Sequence, residues 1–284
     1  MRTILQHKVK IMGVINITPN SFSDGNQINT IDLLSRRIQL LQESCDAIDI
    51  GAESTAPKNS VVSSEVEWAR WEKLFLPLLK KDFFKPDMVL SIDTYRTEIF
   101  YKLLKHLREA GIENEIWWND ISGDFDEAAQ AAVVLKNVKY VYCLNFAASR
   151  TVGSQHLNFK VSDEEFMAKC LEDLLRVYTI VQKKNISDKV IFDPCFGFAK
   201  SREQNLKLID EWESVSTKLN PTWLIGLSKK SFLRPTPETP DDILEHIHSL
   251  ALAKILKNSP AGEYIFRVHR PEVLKQVEIH LAKS

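Results

Sequence analysis

Three side chains, Asp93, Asn119 and Asp193, each follow a short apolar run, and two basic clusters, Ser228-Lys229-Lys230-Ser231 and Arg267-Val268-His269, follow runs further along the 284-residue chain. An ionised Asp accepts two adjacent N–H donors at once, and an Asn offers a donor and an acceptor side by side. A flat heterocycle with a 2-amino-4-oxo-pyrimidine edge presents the matching pattern. Any one of these residues alone reads as the N-cap of the next helix. The three together, with the basic clusters, point instead to ring recognition. Arg267 and His269 alternate and so face the same side of a strand. An inward arginine there calls for an anion or a planar ligand. The set predicts an anion site beside a site for a flat polar ring.

Those residues need a scaffold that gathers them, and the apolar runs supply one. Eight runs end at polar residues: Met12–Ile15 at Asn16, Ala47–Ile48 through Asp49 into Gly51, Met88–Ile92 at Asp93, Ile116–Trp118 at Asn119, Tyr140–Leu144 at Asn145, Val190–Phe192 at Asp193, Trp223–Leu227 at Ser228, and Tyr264–Val268 at His269. Continuous apolar runs of this length read as strands buried on both faces of a parallel sheet. Eight such strands pointing one way would put every polar ending on one rim, where a (β/α)8 barrel carries its active site, often with phosphate after strand seven. An open doubly wound sheet has the same alternation, but the GxGxxG that a Rossmann site wants after a strand is absent.

Helical periodicity fills the intervals. Ile31–Glu43 places Leu34, Ile38 and Leu41 on one face, and Thr97–Ala110 stops at Gly111. Glu164–Lys183 repeats the pattern. Ser64 and Glu67 read as a capping box opening a helix through Trp71 to Phe75, and Thr239-Pro240 as an N-cap and N1 pair. Two hydroxyl-rich connections, Asn16 to Gly25 around Phe22 and Gly51 to Pro57 including Thr55, read on their own as polar surface loops.

The hydrophobic fraction of 44%, the charged fraction of 26% and the net charge of −1 belong to an ordinary globular chain and argue against a nucleic-acid or membrane partner. Cys45, Cys143, Cys170 and Cys195 lack CxxC spacing, so free buried thiols in a reducing compartment are expected rather than zinc. His7, Lys8 and Lys10 fall where a signal peptide needs its apolar core, so a cytoplasmic protein is expected.

The ordered segments Met12-Gly-Val-Ile-Asn-Ile-Thr-Pro-Asn-Ser-Phe-Ser-Asp-Gly25, Asp49-Ile-Gly-Ala-Glu-Ser-Thr55, Ser91-Ile-Asp-Thr94, Asn119-Asp-Ile-Ser-Gly123, Asp193-Pro-Cys-Phe-Gly-Phe-Ala-Lys200, Gly226-Leu-Ser-Lys-Lys-Ser-Phe232 and Arg267-Val-His269 resemble the dihydropteroate synthase family. The resemblance implies one pterin-binding TIM barrel over residues 1–284, an α/β fold, working as a homodimer. It implies a transferase that joins dihydropterin pyrophosphate to para-aminobenzoate in folate synthesis.

Carried over by position, Asp93, Asn119, Asp193 and Lys230 would form the pterin pocket and Arg267 would stack on the ring. Asn16, through Mg²⁺, and His269 would hold the pyrophosphate. Ser231 would meet the aminobenzoate carboxylate, Phe22 and Pro57 would wall its pocket, and Thr55 would contact substrate. The chain departs from the family pattern at Ala56, where arginine is usual, at Asn145 in place of a His-Met pair, at Cys195 for glycine, at Lys229 for arginine and at Arg270 for aspartate. A pterin-binding homologue with impaired catalysis and a folate-dependent methyltransferase are the alternatives. The Lys230-Ser231 and Arg267-His269 motifs argue against the methyltransferase, which needs no pyrophosphate site.

Overall fold

A computed structural model describes residues 2–18, 28–53, 61–146 and 161–282. A short strand β1 (Arg2–Ile4) precedes eight longer ones: β2 (His7–Asn16), β3 (Ala47–Gly51), β4 (Val89–Asp93), β5 (Ile116–Asp120), β6 (Val138–Cys143), β7 (Val190–Asp193), β8 (Thr222–Ile225) and β9 (Glu263–Val268). Strands β2 to β9 pair in chain order, all parallel, and β2 pairs back with β9, with Met12 opposite Arg267. The sheet is therefore closed, and the (β/α)8 barrel expected from the polar endings is the observed fold. The periodicity of the chain did not announce β1, which folds back antiparallel on β2 through a turn where Leu5 takes φ 53°.

Side chains along a strand alternate, so one face of every strand fills the barrel in layers. Met12, Ala47, Val89, Trp117, Val141, Ile191, Leu224 and Ile265 pack together as a wholly apolar layer. Two residues further along seven of the eight strands come Asp49, Ser91, Asn119, Cys143, Asp193, Gly226 and Arg267. The polar layer thus rests directly on an apolar floor, and Asp93 stands one step above Ser91.

Helices α1 (Ile31–Ser44), α2 (Ser64–Arg70), α3 (Thr97–Glu109), α4 (Glu127–Ala132), α5 (Phe166–Lys183), α6 (Arg202–Asp210), α7 (Trp212–Ser216), α8 (Asp241–Lys257) and α9 (Val273–Ala282) lie between and after the strands. Leu34, Ile38 and Leu41 of α1 are buried as their spacing required. The cap assignments need correction. Ser63, not Ser64, caps α2, its Oγ accepting from the Val66 N–H. Glu67 is fully buried and pairs with Arg96, a stronger partner than a backbone amide, while Arg96 also holds Glu53 and the Val62 carbonyl. The helix does not run unbroken to Phe75: Trp71–Phe75 forms a wider π turn and Leu76–Leu78 a 3-10 turn. Pro240 occupies the cap position of α8, and Thr239 Oγ1 accepts from Thr236 N instead. The complete capping box is at Ser201 and Gln204, opening α6.

The expectation of four free thiols is also corrected. Cys143 and Cys195 are joined as a disulfide, with their Cα atoms 5.3 Å apart, because β6 and β7 are neighbours whose ends meet at the rim. Cys45 and Cys170 are free. Among the described residues no helix is long and apolar enough to cross a membrane.

Candidate active site

The polar layer is organised around a carboxylate that the sequence reading passed over. Asp49 is fully buried in β3. It accepts from Ser91 Oγ at 2.5 Å, from Asn119 Nδ2 at 3.1 Å on each oxygen, and from Arg267 Nε at 2.7 Å. Arg267 Nη2 also reaches Asp93 Oδ2 at 2.7 Å. The strand pairing makes this possible by setting Asp49 opposite Ser91 and Asp93 opposite Asn119. Gly51 stands opposite Asp93, and a Cβ there would lie 3.3 Å from Asp93 Oδ2, so glycine leaves room for that carboxylate. A buried carboxylate with this many donors is satisfied, and the guanidinium plane is held at two points.

Above this network opens a pocket lined by Asp93, Asn119, Asp193, Lys230 and Arg267 among others. Five residues assigned from sequence are therefore gathered in one place. Three other assigned residues lie at strand ends or in the segments that follow them. Asn16 ends β2, Ser231 is exposed at the start of a 3-10 turn, and His269 follows β9. Phe22, Thr55 and Pro57, and with them Ala56, lie outside the described residues.

Asn119 directs an amide N–H at Asp49, its Nδ2 lying 3.1 Å from each carboxylate oxygen. Asp193 Oδ1 accepts the Cys195 N–H at 2.6 Å. Lys230 comes from the loop after β8, its Nζ 4.4 Å from the centre of the Phe198 ring. Gly197, at φ 85°, lies against the Lys230 stem, with its would-be Cβ 3.2 Å from Cδ. A side chain there would be strained and would crowd the lysine. Lys200, also from the loop after β7, is buried and donates to the carbonyls of Leu144, Cys195 and Phe198.

Burial dominates the electrostatics. It pushes the Asp93 carboxyl up to about 7, aided by the Asp49 charge and opposed by Arg267. Burial also raises Asp193, against the pull of the Cys195 N–H and the Lys230 and Arg267 charges. Lys230 is drawn down to about 8 by burial and by Arg267. Burial works against the Arg267 charge too, yet Asp49 and Asp93 hold it above the ordinary arginine value. His269 falls well below the usual histidine range through burial and the neighbouring Lys229, Arg267 and Lys230 charges.

His269 is thus neutral near pH 7. Its backbone N–H donates to Ser228 Oγ at 3.2 Å, so the serine hydrogen is free to point at His269 Nδ1, 3.0 Å away. When the serine donates to Nδ1, Nε2 carries the ring proton and is a neutral donor.

The raised Asp93 has a measurable consequence. A native carboxyl that keeps its proton up to about pH 7, while the unfolded chain releases it from about pH 4, makes the folded state less favoured as pH rises through that window. Urea unfolding midpoints should fall between about pH 5 and pH 7.5, and Asp93→Asn should remove most of the slope. An unchanged slope in the folded variant would assign the titration to another group.

Asp49 was within reach of the alternation that paired Arg267 with His269, since it lies two residues beyond the inward Ala47. Cys143 and Cys195 carried no spacing signal, and Lys200 is identifiable only once the loop after β7 is seen to coil around it.

The family model described as pterin binding enzyme matches residues 12–269. A dihydropteroate synthase of Clostridium beijerinckii is 31% identical over 225 residues, covering 78% of this chain and 75% of that one. Among solved structures, dihydropteroate synthase from Anaplasma phagocytophilum with bound 6-hydroxymethylpterin-monophosphate superposes with a TM-score of 0.71 at 26% identity, covering 98% of this chain and 100% of that one. The Xanthomonas albilineans enzyme with 4-aminobenzoic acid shares the fold at a TM-score of 0.73 and 22% identity, covering 98% of this chain and 94% of that one.

Proposed function

The chain belongs to the pterin-binding enzymes and, within them, to the dihydropteroate synthases, and from that premise we propose how its own residues divide the work. The reaction joins dihydropterin pyrophosphate to para-aminobenzoate, giving dihydropteroate and pyrophosphate in folate biosynthesis. The arylamine nitrogen attacks the exocyclic methylene carbon, the bond from that carbon to the pyrophosphate oxygen breaks, and the amine loses a proton. No protein nucleophile is needed.

The observation that carries the assignment is the cavity shared by Asp93, Asn119, Asp193, Lys230 and Arg267. The 2-amino and N3–H groups of a pterin would donate to Asp193, as paired N–H groups do to a carboxylate. Asn119 Oδ1 and Asp93 would accept from the rest of the ring edge. Lys230 would donate to the ring carbonyl. Arg267, its plane held by Asp49 and Asp93, is a ready platform for stacking. Because its Nε and Nη2 are engaged there, anion binding falls more to His269 Nε2 and Ser231. Ser231, exposed at the rim, is suited to the aminobenzoate carboxylate.

Mg²⁺ belongs to the same proposal. Among the described residues no group of three or more His, Cys, Asp or Glu side chains could hold a metal. Mg²⁺, however, commonly takes one or two protein oxygens and fills its shell with phosphate oxygens and water, and the Asn16 amide at the end of β2 fits that role. When bound it would neutralise charge on the departing pyrophosphate. The resemblance also supports a homodimer as the working form.

Pyrophosphate release from dihydropterin pyrophosphate, measured with and without para-aminobenzoate, tests the reading. Release that needs the arylamine is expected; pterin binding with no release under any condition would favour the impaired homologue. His269→Ala should weaken the pyrophosphate-bearing pterin by about 1.5–3 kcal/mol, the worth of a hydrogen bond to a charged group. A pterin without phosphates should bind it normally. Equal losses for both ligands would indicate that the end of β9 has collapsed.

A further inference from the structure

Cys143 and Cys195 line the same cavity as Asp193 and Lys230, and they are joined there. Cys143 ends β6 directly opposite Asp193 in the strand register. Cys195 follows Asp193 by two residues, and its N–H is the donor to Asp193 Oδ1. Its carbonyl is held by Lys200 Nζ at 3.0 Å. Its φ of 57° lies in the left-handed region, which a residue with a Cβ adopts at a cost and glycine does not. Both half-cystines are thus tied by their backbones to the groups that shape the ring pocket. The other two cysteines offer little thiolate: burial pushes Cys170 up to about 12 and Cys45 up to about 11.

We propose that Cys143 and Cys195 form a redox site within the pterin pocket, the disulfide being the ligand-ready form and the dithiol the weaker binder. The inference rests on the pterin reading of this cavity. In the reductive step a thiolate of an external dithiol attacks one of the two sulfurs, breaking the S–S bond and forming a mixed disulfide. The second thiol of the reductant then displaces that cysteine. Two electrons pass to the protein, two protons end on Cys143 and Cys195, and the reductant leaves as its own disulfide.

Unbonded sulfurs need a contact distance of roughly 3.5–4 Å in place of a bond of about 2 Å. Cys143 cannot retreat, because its backbone is in the β6–β7 ladder. Either one thiol swings into the cavity beside Asp193, or Cys195 leaves its left-handed conformation and takes its N–H away from Asp193 Oδ1. Both outcomes spoil the acceptor that faces the ring.

The test uses the intact protein equilibrated in oxidised or reduced dithiothreitol, with free thiols counted by alkylation and mass measurement. Each form is titrated calorimetrically with 6-hydroxymethylpterin, which carries no phosphate. The reduced form should bind about tenfold more weakly. Cys195→Gly takes the left-handed backbone freely and has no disulfide to open, so its affinity should be the same in both buffers. Equal or tighter pterin binding by wild-type protein that alkylation shows to be fully reduced would overturn the proposal. So would finding both thiols free in the oxidising buffer. If neither form binds the pterin although the disulfide opens and closes, the pterin reading of the cavity fails along with this one, an outcome distinct from equal binding by both.

Discussion

Replacing Arg267 by Met is expected to destabilise the protein by about 3–5 kcal/mol and to end turnover. The guanidinium is the only cation bonded to the buried Asp49 carboxylate among the described residues, through Nε at 2.7 Å and Nη2 at 2.6 Å, and Asp49 is wholly inaccessible to water. Methionine fills much of the same volume but leaves that charge with Ser91 and Asn119 alone. Removing one member of a buried pair costs far more than the pair contributes in net terms, because the survivor keeps its desolvation penalty. Asp93 would lose its bond to Nη2 as well, and the pocket its proposed stacking surface. Chemical unfolding of the purified variant measures the first effect and pyrophosphate release the second. Adding Asp49→Asn should restore a good part of the stability but none of the activity. A single variant as stable as wild type would reject the buried-pair argument.

The second large effect is expected at Asp193. Asp193→Asn preserves shape, and its amide oxygen can keep the Cys195 N–H as donor. The other arm becomes an NH₂ group facing the N–H groups of the ring, two donors with no acceptor between them. Pterin affinity should fall by about 1–3 kcal/mol, the cost of leaving a buried polar group mispaired. Lys230 would also lose a carboxylate that now supports its charge. Calorimetry on the folded variant decides the matter, and unchanged affinity would reject Asp193 as the ring's anchor.

Much of this architecture was legible because parallel barrel strands are buried on both faces and so write uninterrupted apolar runs. Their ends are marked wherever the rim needs a polar group. Asp93, Asn119, Asp193 and Arg267 could be found from that pattern alone. Asp49 could not be found so easily, since in Ala47-Ile48-Asp49-Ile50-Gly51 it reads as a break within a strand. Its burial is understandable only once Arg267 is known to arrive from the far end of the chain. The Cys143–Cys195 pair, 52 residues apart, was invisible for the same reason: its proximity belongs to the β6–β7 pairing. Local cap signals failed where a long-range partner competed, as Arg96 did for Glu67.

The reach of Arg267 has a consequence for how the protein is born. It meets Asp49 across 218 residues and Asp93 across 174. At a synthesis rate of roughly 5–20 residues per second, the two carboxylates wait on the order of ten seconds or more for their cation. Through that interval β2 has no β9 to pair with, and an open strand edge is an invitation to aggregation. Unpaired acidic groups on the nascent strands keep the growing sheet charged while it waits. The arginine that completes the pocket is carried by the strand that closes the ring, so an unfinished chain cannot present a finished site.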